Sequence, residues 1–137
     1  MKMMQNKQTI ESHLDEGLDN CLNAEIASGT ITTSFTFVAT VEVIALLQLT
    51  PVLVDALPGT YNIDPAALEK AITPKTKAIV PVHLFGQCAD MESIMQIANK
   101  HNLAVIEDNC QAVGAHYTMN DGSRHQAGTM GHVGTTS

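Results

Sequence analysis

This chain of 137 residues has no tryptophan, two tyrosines and three phenylalanines, and its seven basic residues face fourteen acidic ones. With so few aromatics, a core must be built from aliphatic side chains. A net charge of −7 with no Lys/Arg cluster argues against a nucleic-acid partner, because that interface needs a basic face. Cys21, Cys88 and Cys110 are odd in number, widely spaced and free of any CxxC pair, which fits free thiols in a reducing compartment better than a disulfide framework. No apolar run follows the lysines of the first seven residues, so no secretory signal is read there. The longest greasy stretch, 38–49, is broken by Glu42 and Gln48 and is too short to span a bilayer. A cytoplasmic location is therefore expected. Neither a G-x-G-x-x-G turn nor a Walker loop occurs, which removes support for a dinucleotide fold or a P-loop. His83, His101, His116, His125 and His132 lack an HxxxH spacing, so no metal site is expected.

What is present points to one α/β domain. A chain of this length buries roughly 68–70% of its unfolded surface, enough for a core without staples. Ile10, Leu14, Leu18 and Leu22 recur between acids, as an amphipathic helix from about Thr9 to Asn23 requires. Thr30 to Thr33 reads as a short strand. A helix over 38–49 follows, apolar over most of its surface and so expected to be buried. Pro51 to Asp55 is the next strand, ended by the turn at Pro58-Gly59. Asp64-Pro65 starts a helix to Ile72, since Asp accepts cap N–H bonds and Pro's fixed φ suits the first helical position. Lys77 to Leu84 reads as a strand with an irregularity or an edge near Pro81. Asp90 caps a helix over Met91–His101, and Leu103 to Glu107 is the next strand.

Strand and helix thus alternate, which predicts a mostly parallel sheet with helices on both faces. Asn120-Asp121-Gly122 signals a β-hairpin near the C-terminal end. The Gly-rich run 128–137 shows no terminating structure.

The apolar run Leu103 to Ile106 stops at Glu107-Asp108, and ligands of open α/β sheets sit outside the carboxyl ends of strands. Asp108 is thereby a candidate site residue, with a simple turn cap as the alternative. Cys110 beside it could suggest a nucleophile, but its acidic surroundings disfavour the thiolate. A small buried cysteine is expected instead.

Thr32-Thr-Ser-Phe-Thr-Phe-Val-Ala-Thr40, Asp55, Tyr61-Asn-Ile-Asp64, Ala78-Ile-Val-Pro-Val-His-Leu-Phe-Gly-Gln87 and Val105-Ile-Glu-Asp-Asn-Cys-Gln-Ala112 together resemble the DegT-type family of sugar aminotransferases. These are pyridoxal 5'-phosphate enzymes of the aspartate aminotransferase fold, acting on nucleotide-linked keto sugars. The resemblance implies that Asp108 faces the pyridine nitrogen of the cofactor and keeps it protonated, so that the ring can accept electrons. It implies that Phe37 stacks on the ring, although core packing would also suit that residue. By the same resemblance Gln111 lies near the ring's phenolic oxygen and Ser137 binds the phosphate. Glutamate as amino donor, a nucleotide-sugar substrate and a homodimer follow from the same source, while a truncated parallel sheet with uncovered helix faces and strand edges would itself invite self-association.

Two departures accompany it. The family's Schiff-base lysine follows that serine, and the sequence stops at Ser137, so no catalytic residue is assigned and no turnover is expected of this chain by itself. The connection between the opening helix and the first strand is shorter than in the family, with Ser28-Gly29-Thr30 read as a coincidence rather than the remnant of a phosphate loop. Residues 1–29 are thus expected to be an N-terminal helix with a shortened connection, and 30–137 a partial cofactor-binding domain. The alternative is a non-catalytic α/β module that kept the sheet and lost the chemistry.

Overall fold

The computed structural model describes residues 29–136. The helix expected over Thr9–Asn23, Cys21, Ser28 and Ser137 lie outside the described residues. Seven strands and three helices are described: β1 (Gly29–Thr33), α1 (Val38–Leu46), β2 (Thr50–Val54), α2 (Pro65–Ala71), β3 (Thr76–Val80), α3 (Met91–His101), β4 (Ala104–Asp108), β5 (His116–Thr118), β6 (Arg124–Gln126) and β7 (Val133–Thr135). A single 3₁₀ turn at Leu84–Gly86 separates β3 from α3.

Five strands form one sheet in the order β2-β1-β3-β4-β7, with every neighbouring pair parallel. Parallel neighbours need crossovers, and the helices supply three of them. The α2 helix begins where Asp64 Oδ1 accepts the Ala66 N–H at 2.8 Å with Pro65 in the first turn. The α3 helix begins where Asp90 accepts from the Ser93 amide and hydroxyl, and ends on Asn102 in the left-handed conformation. Met91, Ile94 and Ala98 of α3 and Leu68 of α2 are buried against Ile31, Ile79 and Val105 of the sheet. No residue of α1 belongs to that cluster. This helix lies over the other face, where its Thr40 reaches Asp108.

The expected alternation of elements is borne out, with three corrections. The α1 helix ends at Leu46 and buries only Ile44, while Val38, Val43 and Leu46 are 65%, 55% and 75% exposed. A helix apolar on all sides cannot turn every side toward one sheet, so uniform hydrophobicity does not guarantee burial. The β3 strand ends at Val80 and not at Leu84, because Pro81 cannot donate to a ladder; Val82 rejoins only as an isolated bridge to Asp108. Since β3 lies between β1 and β4, Pro81 marks an irregularity and not an edge.

The third correction concerns the Gly-rich run, which contains a strand. β7 pairs with β4 in the register Ile106↔Val133, Glu107↔Gly134, Asp108↔Thr135. Gly134 is required there, since a Cβ at this position would overlap the Gly128 carbonyl. The hairpin forms as expected: β5 and β6 are antiparallel around Gly122, whose φ is 84°. It is docked on α3 by the Tyr117 hydroxyl, which donates to Asp90 Oδ1 at 2.7 Å. Burial and the Asp90 carboxylate push the Tyr117 hydroxyl up to about 12.

Candidate functional site

The carboxyl ends of β1, β3 and β4 meet at one rim of the sheet, as a parallel arrangement dictates. Side chains alternate along a strand, so the last two residues of β4 send their carboxylates to opposite faces. Glu107 lies on the fully buried face with Val105; Asp108 lies on the half-buried face with Ala104 and Ile106.

Asp108 is held at both carboxylate oxygens. Thr40 Oγ1 donates to Oδ2 at 2.8 Å, and the Cys110 amide donates to Oδ1 at 3.1 Å. The second contact is the turn-cap geometry that the sequence offered as an alternative. Its backbone is fixed as well: the Asp108 N–H donates to the Pro81 carbonyl, and the His83 N–H donates to the Asp108 carbonyl, both at 2.9 Å.

Phe37 is the residue immediately before α1, one helical turn from Thr40, whose N–H donates to the Phe37 carbonyl. Its ring is 68% exposed, which sets aside core packing as its role. Gln111 is exposed, and its Oε1 accepts the Phe85 N–H at 3.3 Å. The geometry therefore brings together Asp108 with α1 and Gln111 with the 3₁₀ turn, while Ser137 lies outside the described residues. Cys110 is exposed, not buried as expected, because it follows the strand end rather than continuing the strand.

Three further aromatics line the same rim. Phe35 packs on Tyr61 at a ring-centroid distance of 5.3 Å and on Phe85 at 6.4 Å. All three are about half exposed or more, and Tyr61 and Phe85 have φ of 60° and 54°. Bulky residues in the left-handed region are uncommon, and such strain concentrates at functional sites. Sequence reasoning did not assign roles to Thr40, Phe35, Tyr61 or Phe85. The spacing of Thr40 from Phe37 could have signalled a shared first helical turn.

Behind the rim lies a second polar group that the sequence reading passed over. Glu107 is fully buried and accepts four hydrogen bonds: from the Met130 and Gly131 amides on Oε1 at 2.6 and 2.5 Å, and from the Gly128 amide and His83 Nε2 on Oε2 at 2.8 Å each. The Ala89 N–H donates to His83 Nδ1 at 3.1 Å, so the imidazole proton sits on Nε2. Burial by itself raises the Glu107 pKa, but the hydrogen bonds from His83 and the Gly131, Gly128 and Met130 amides outweigh it and hold the carboxyl below its ordinary range. An acid inside an otherwise apolar strand was the available signal, since a buried charge demands partners.

Known proteins of similar sequence and fold are aminotransferases. A UDP-2-acetamido-2-deoxy-3-oxo-D-glucuronate aminotransferase from Pseudomonas aeruginosa is 59% identical over 87 residues, 64% of this chain and 24% of the relative. The X-ray structure of the aminotransferase from Psychrobacter cryohalolentis superposes with a TM-score of 0.78 at 39% identity, covering 86% of this chain and 29% of that one. NtdA from Bacillus subtilis, solved with bound cofactor PMP, gives a TM-score of 0.66 at 43% identity over 70% of this chain and 22% of its own. The chain spans about a quarter of the length of the relatives it matches. The α/β sheet, the rim at its carboxyl edge and a family profile matching residues 14–137 converge on one assignment: the chain belongs to the DegT/DnrJ/EryC1/StrS aminotransferase family.

Proposed function

We propose that residues 30–137 form the cofactor-binding part of a pyridoxal 5'-phosphate aminotransferase that moves an amino group, with glutamate as donor, to a keto sugar carried on a nucleotide. The observation that carries this reading is the Asp108 carboxylate, fixed at the carboxyl edge of a parallel sheet by the Thr40 hydroxyl and the Cys110 amide. The relatives' names supply the amino transfer and the nucleotide-linked sugar.

The residues at the rim suit the cofactor. Pyridoxal phosphate supplies an electron sink for the substrate carbon when its ring nitrogen is protonated. Asp108 is the group to hold that proton at the ring nitrogen. At an effective dielectric of about 20, opposite charges 4 Å apart attract by roughly 4 kcal/mol, enough to bias protonation by a few pK units. Phe37 offers an exposed ring face for stacking. Gln111 spends its amide oxygen on the Phe85 N–H, leaving its NH₂ to donate to the phenolic oxygen. Thr36 Oγ1, in the segment that carries Phe37, is buried without a protein partner, the kind of polar group that a ligand or water completes. Ser137 is the proposed phosphate contact.

The experiment is a titration of the chain with pyridoxal 5'-phosphate, followed by absorbance and by quenching of tyrosine fluorescence. Saturable binding that weakens in Asp108→Asn and Phe37→Ala is expected. No binding by the wild-type chain, or equal binding by both variants, sinks the proposal.

A second reading, self-association through an apolar face, is favoured by the exposure of Val38, Val43 and Leu46 on α1 and of Leu53 on β2, the outermost strand at that end of the described sheet. Such a face beside an open strand edge invites a second copy of the chain. Sedimentation should show a dimer that Leu46→Glu dissociates; a monomer at all concentrations removes this reading. No helix among the described residues is long and apolar enough to cross a membrane.

A further inference from the structure

We propose that Glu107 and His83 act as a positioning pair for Asp108, fixing the backbone from which its carboxylate projects. The proposal rests on the role given to Asp108 above. Two segments far apart in sequence grip the end of β4, and Glu107 ties both to itself. On one side stands His83, whose ring donates to Glu107 Oε2 and whose own N–H donates to the Asp108 carbonyl. On the other stands the turn 128–131, which gives three amides to Glu107 and leads directly into β7. β7 then closes on the strand end: the Thr135 hydroxyl donates to the Glu107 carbonyl at 3.1 Å, and the Asn109 N–H donates to the Thr135 carbonyl at 2.9 Å.

The directionality of these bonds gives the pair its specificity. Every group facing the Glu107 side chain is a donor, so only an ionised carboxylate satisfies all four. In Glu107→Gln the NH₂ must face N–H donors whichever way the amide is turned: Met130 and Gly131 on one side, Gly128 and His83 on the other. His83 cannot adapt by moving its proton to Nδ1, because the Ala89 N–H already points there. The conflict therefore passes to the turn or to His83, and both hold the Asp108 backbone.

The test begins with the wild-type chain. Long-range ¹H–¹⁵N correlation spectra at neutral pH should place the His83 proton on Nε2; a proton on Nδ1 overturns the pair, and this measurement needs no variant. In E107Q, amide exchange at Gly128, Met130 and Gly131 should accelerate about tenfold or more relative to β1 and β2. Exchange of the His83 and Asp108 amides, which bond to the Asp108 and Pro81 carbonyls, should accelerate as well. Binding of pyridoxal 5'-phosphate should weaken about tenfold, as loss of a supporting hydrogen-bond shell does at other bound groups. A role in stability alone leaves exchange of the His83 and Asp108 amides, whose hydrogen bonds fix the Asp108 backbone, unchanged in the folded variant, and that outcome overturns the proposal. Failure of the wild-type chain to bind the cofactor strikes the cofactor reading only, because exchange of the His83 and Asp108 amides still decides the pair.

Discussion

Glu107 and Asp108 are consecutive carboxylates on one strand, yet the sheet treats them in opposite ways. Glu107 is driven into the dry face and saturated by four donors; Asp108 emerges on the half-buried face with two donors, one on each oxygen. The first arrangement makes a carboxylate part of the scaffold, since each of its lone pairs is committed before any ligand arrives. The second leaves a carboxylate with interaction capacity to spend. Neighbouring acids in a sequence therefore carry no shared meaning; the strand's two-residue period separates them into different environments.

The comparison is most severely tested by Glu107→Ala. Three part-buried amides and the His83 N–H would lose their acceptor, and each donor left without a partner costs about 1–3 kcal/mol where water cannot reach it. Urea denaturation should register that loss with the transition still cooperative; a cost below about 1 kcal/mol would mean that water replaces the carboxylate easily.

Acid titration comes next. The Glu107 carboxyl is held below its ordinary value of 4.5 when folded, with burial opposing and the His83 and amide bonds prevailing. Between the folded and unfolded values the unfolded chain binds more protons, so stability rises with pH there. The contribution is complete above the unfolded value and disappears as pH falls through the folded one. Its slope is at most about 1.4 kcal/mol per pH unit for one proton. Asp90, also held low against its own burial by Ser93 and Tyr117, adds a slope of the same sign. Glu107→Gln should flatten acid unfolding only by the Glu107 share; an unchanged profile would show that Glu107 is not ionised in the fold.

Smaller effects belong to the open carboxylate. Thr40→Val removes one donor from Asp108 and should cost about 0.5–1.5 kcal/mol in thermal or chemical unfolding. Asp108→Asn keeps an acceptor for the Cys110 amide, the Thr40 hydroxyl can turn to accept from the new NH₂, and the change should shift stability by about 0.5 kcal/mol or less while weakening the cofactor. A loss there as large as that of Glu107→Ala would erase the distinction between scaffold and site.

Much of this architecture was legible in the residues. Asp64-Pro65 and Asp90 announce their helices by cap chemistry, and the buried side chains of α3 follow its helical period, because both signals are local. A strand from Leu103 to Glu107, one residue ahead of the observed Ala104–Asp108, and the candidate Asp108 follow from an apolar run that stops at acids. What was not legible depends on partners distant in the chain. The strand at Val133–Thr135 has no pattern of its own and exists because β4 offers an edge and Glu107 gathers the preceding turn. The burial of α1 could not be read from composition, since hydrophobicity says nothing about which side meets the sheet. Nothing in the spacing of His83 signals its bond to Glu107, and the proton on its Nε2 is defined by an amide six residues away.

The four-donor arrangement at Glu107 also constrains the order of folding. Its carboxylate can leave water only when the turn 128–131 arrives, more than twenty residues downstream. β3, α3 and β4 can pair and pack beforehand with Glu107 still hydrated, so docking of β7 and the dehydration of this one side chain are expected together and late. Bonds made after the rate-limiting barrier influence the return journey more than the outward one. Weakening them should leave the refolding limb of the chevron almost unmoved and steepen the loss on the unfolding side, so this carboxylate sets how long the native sheet lasts more than how fast it forms.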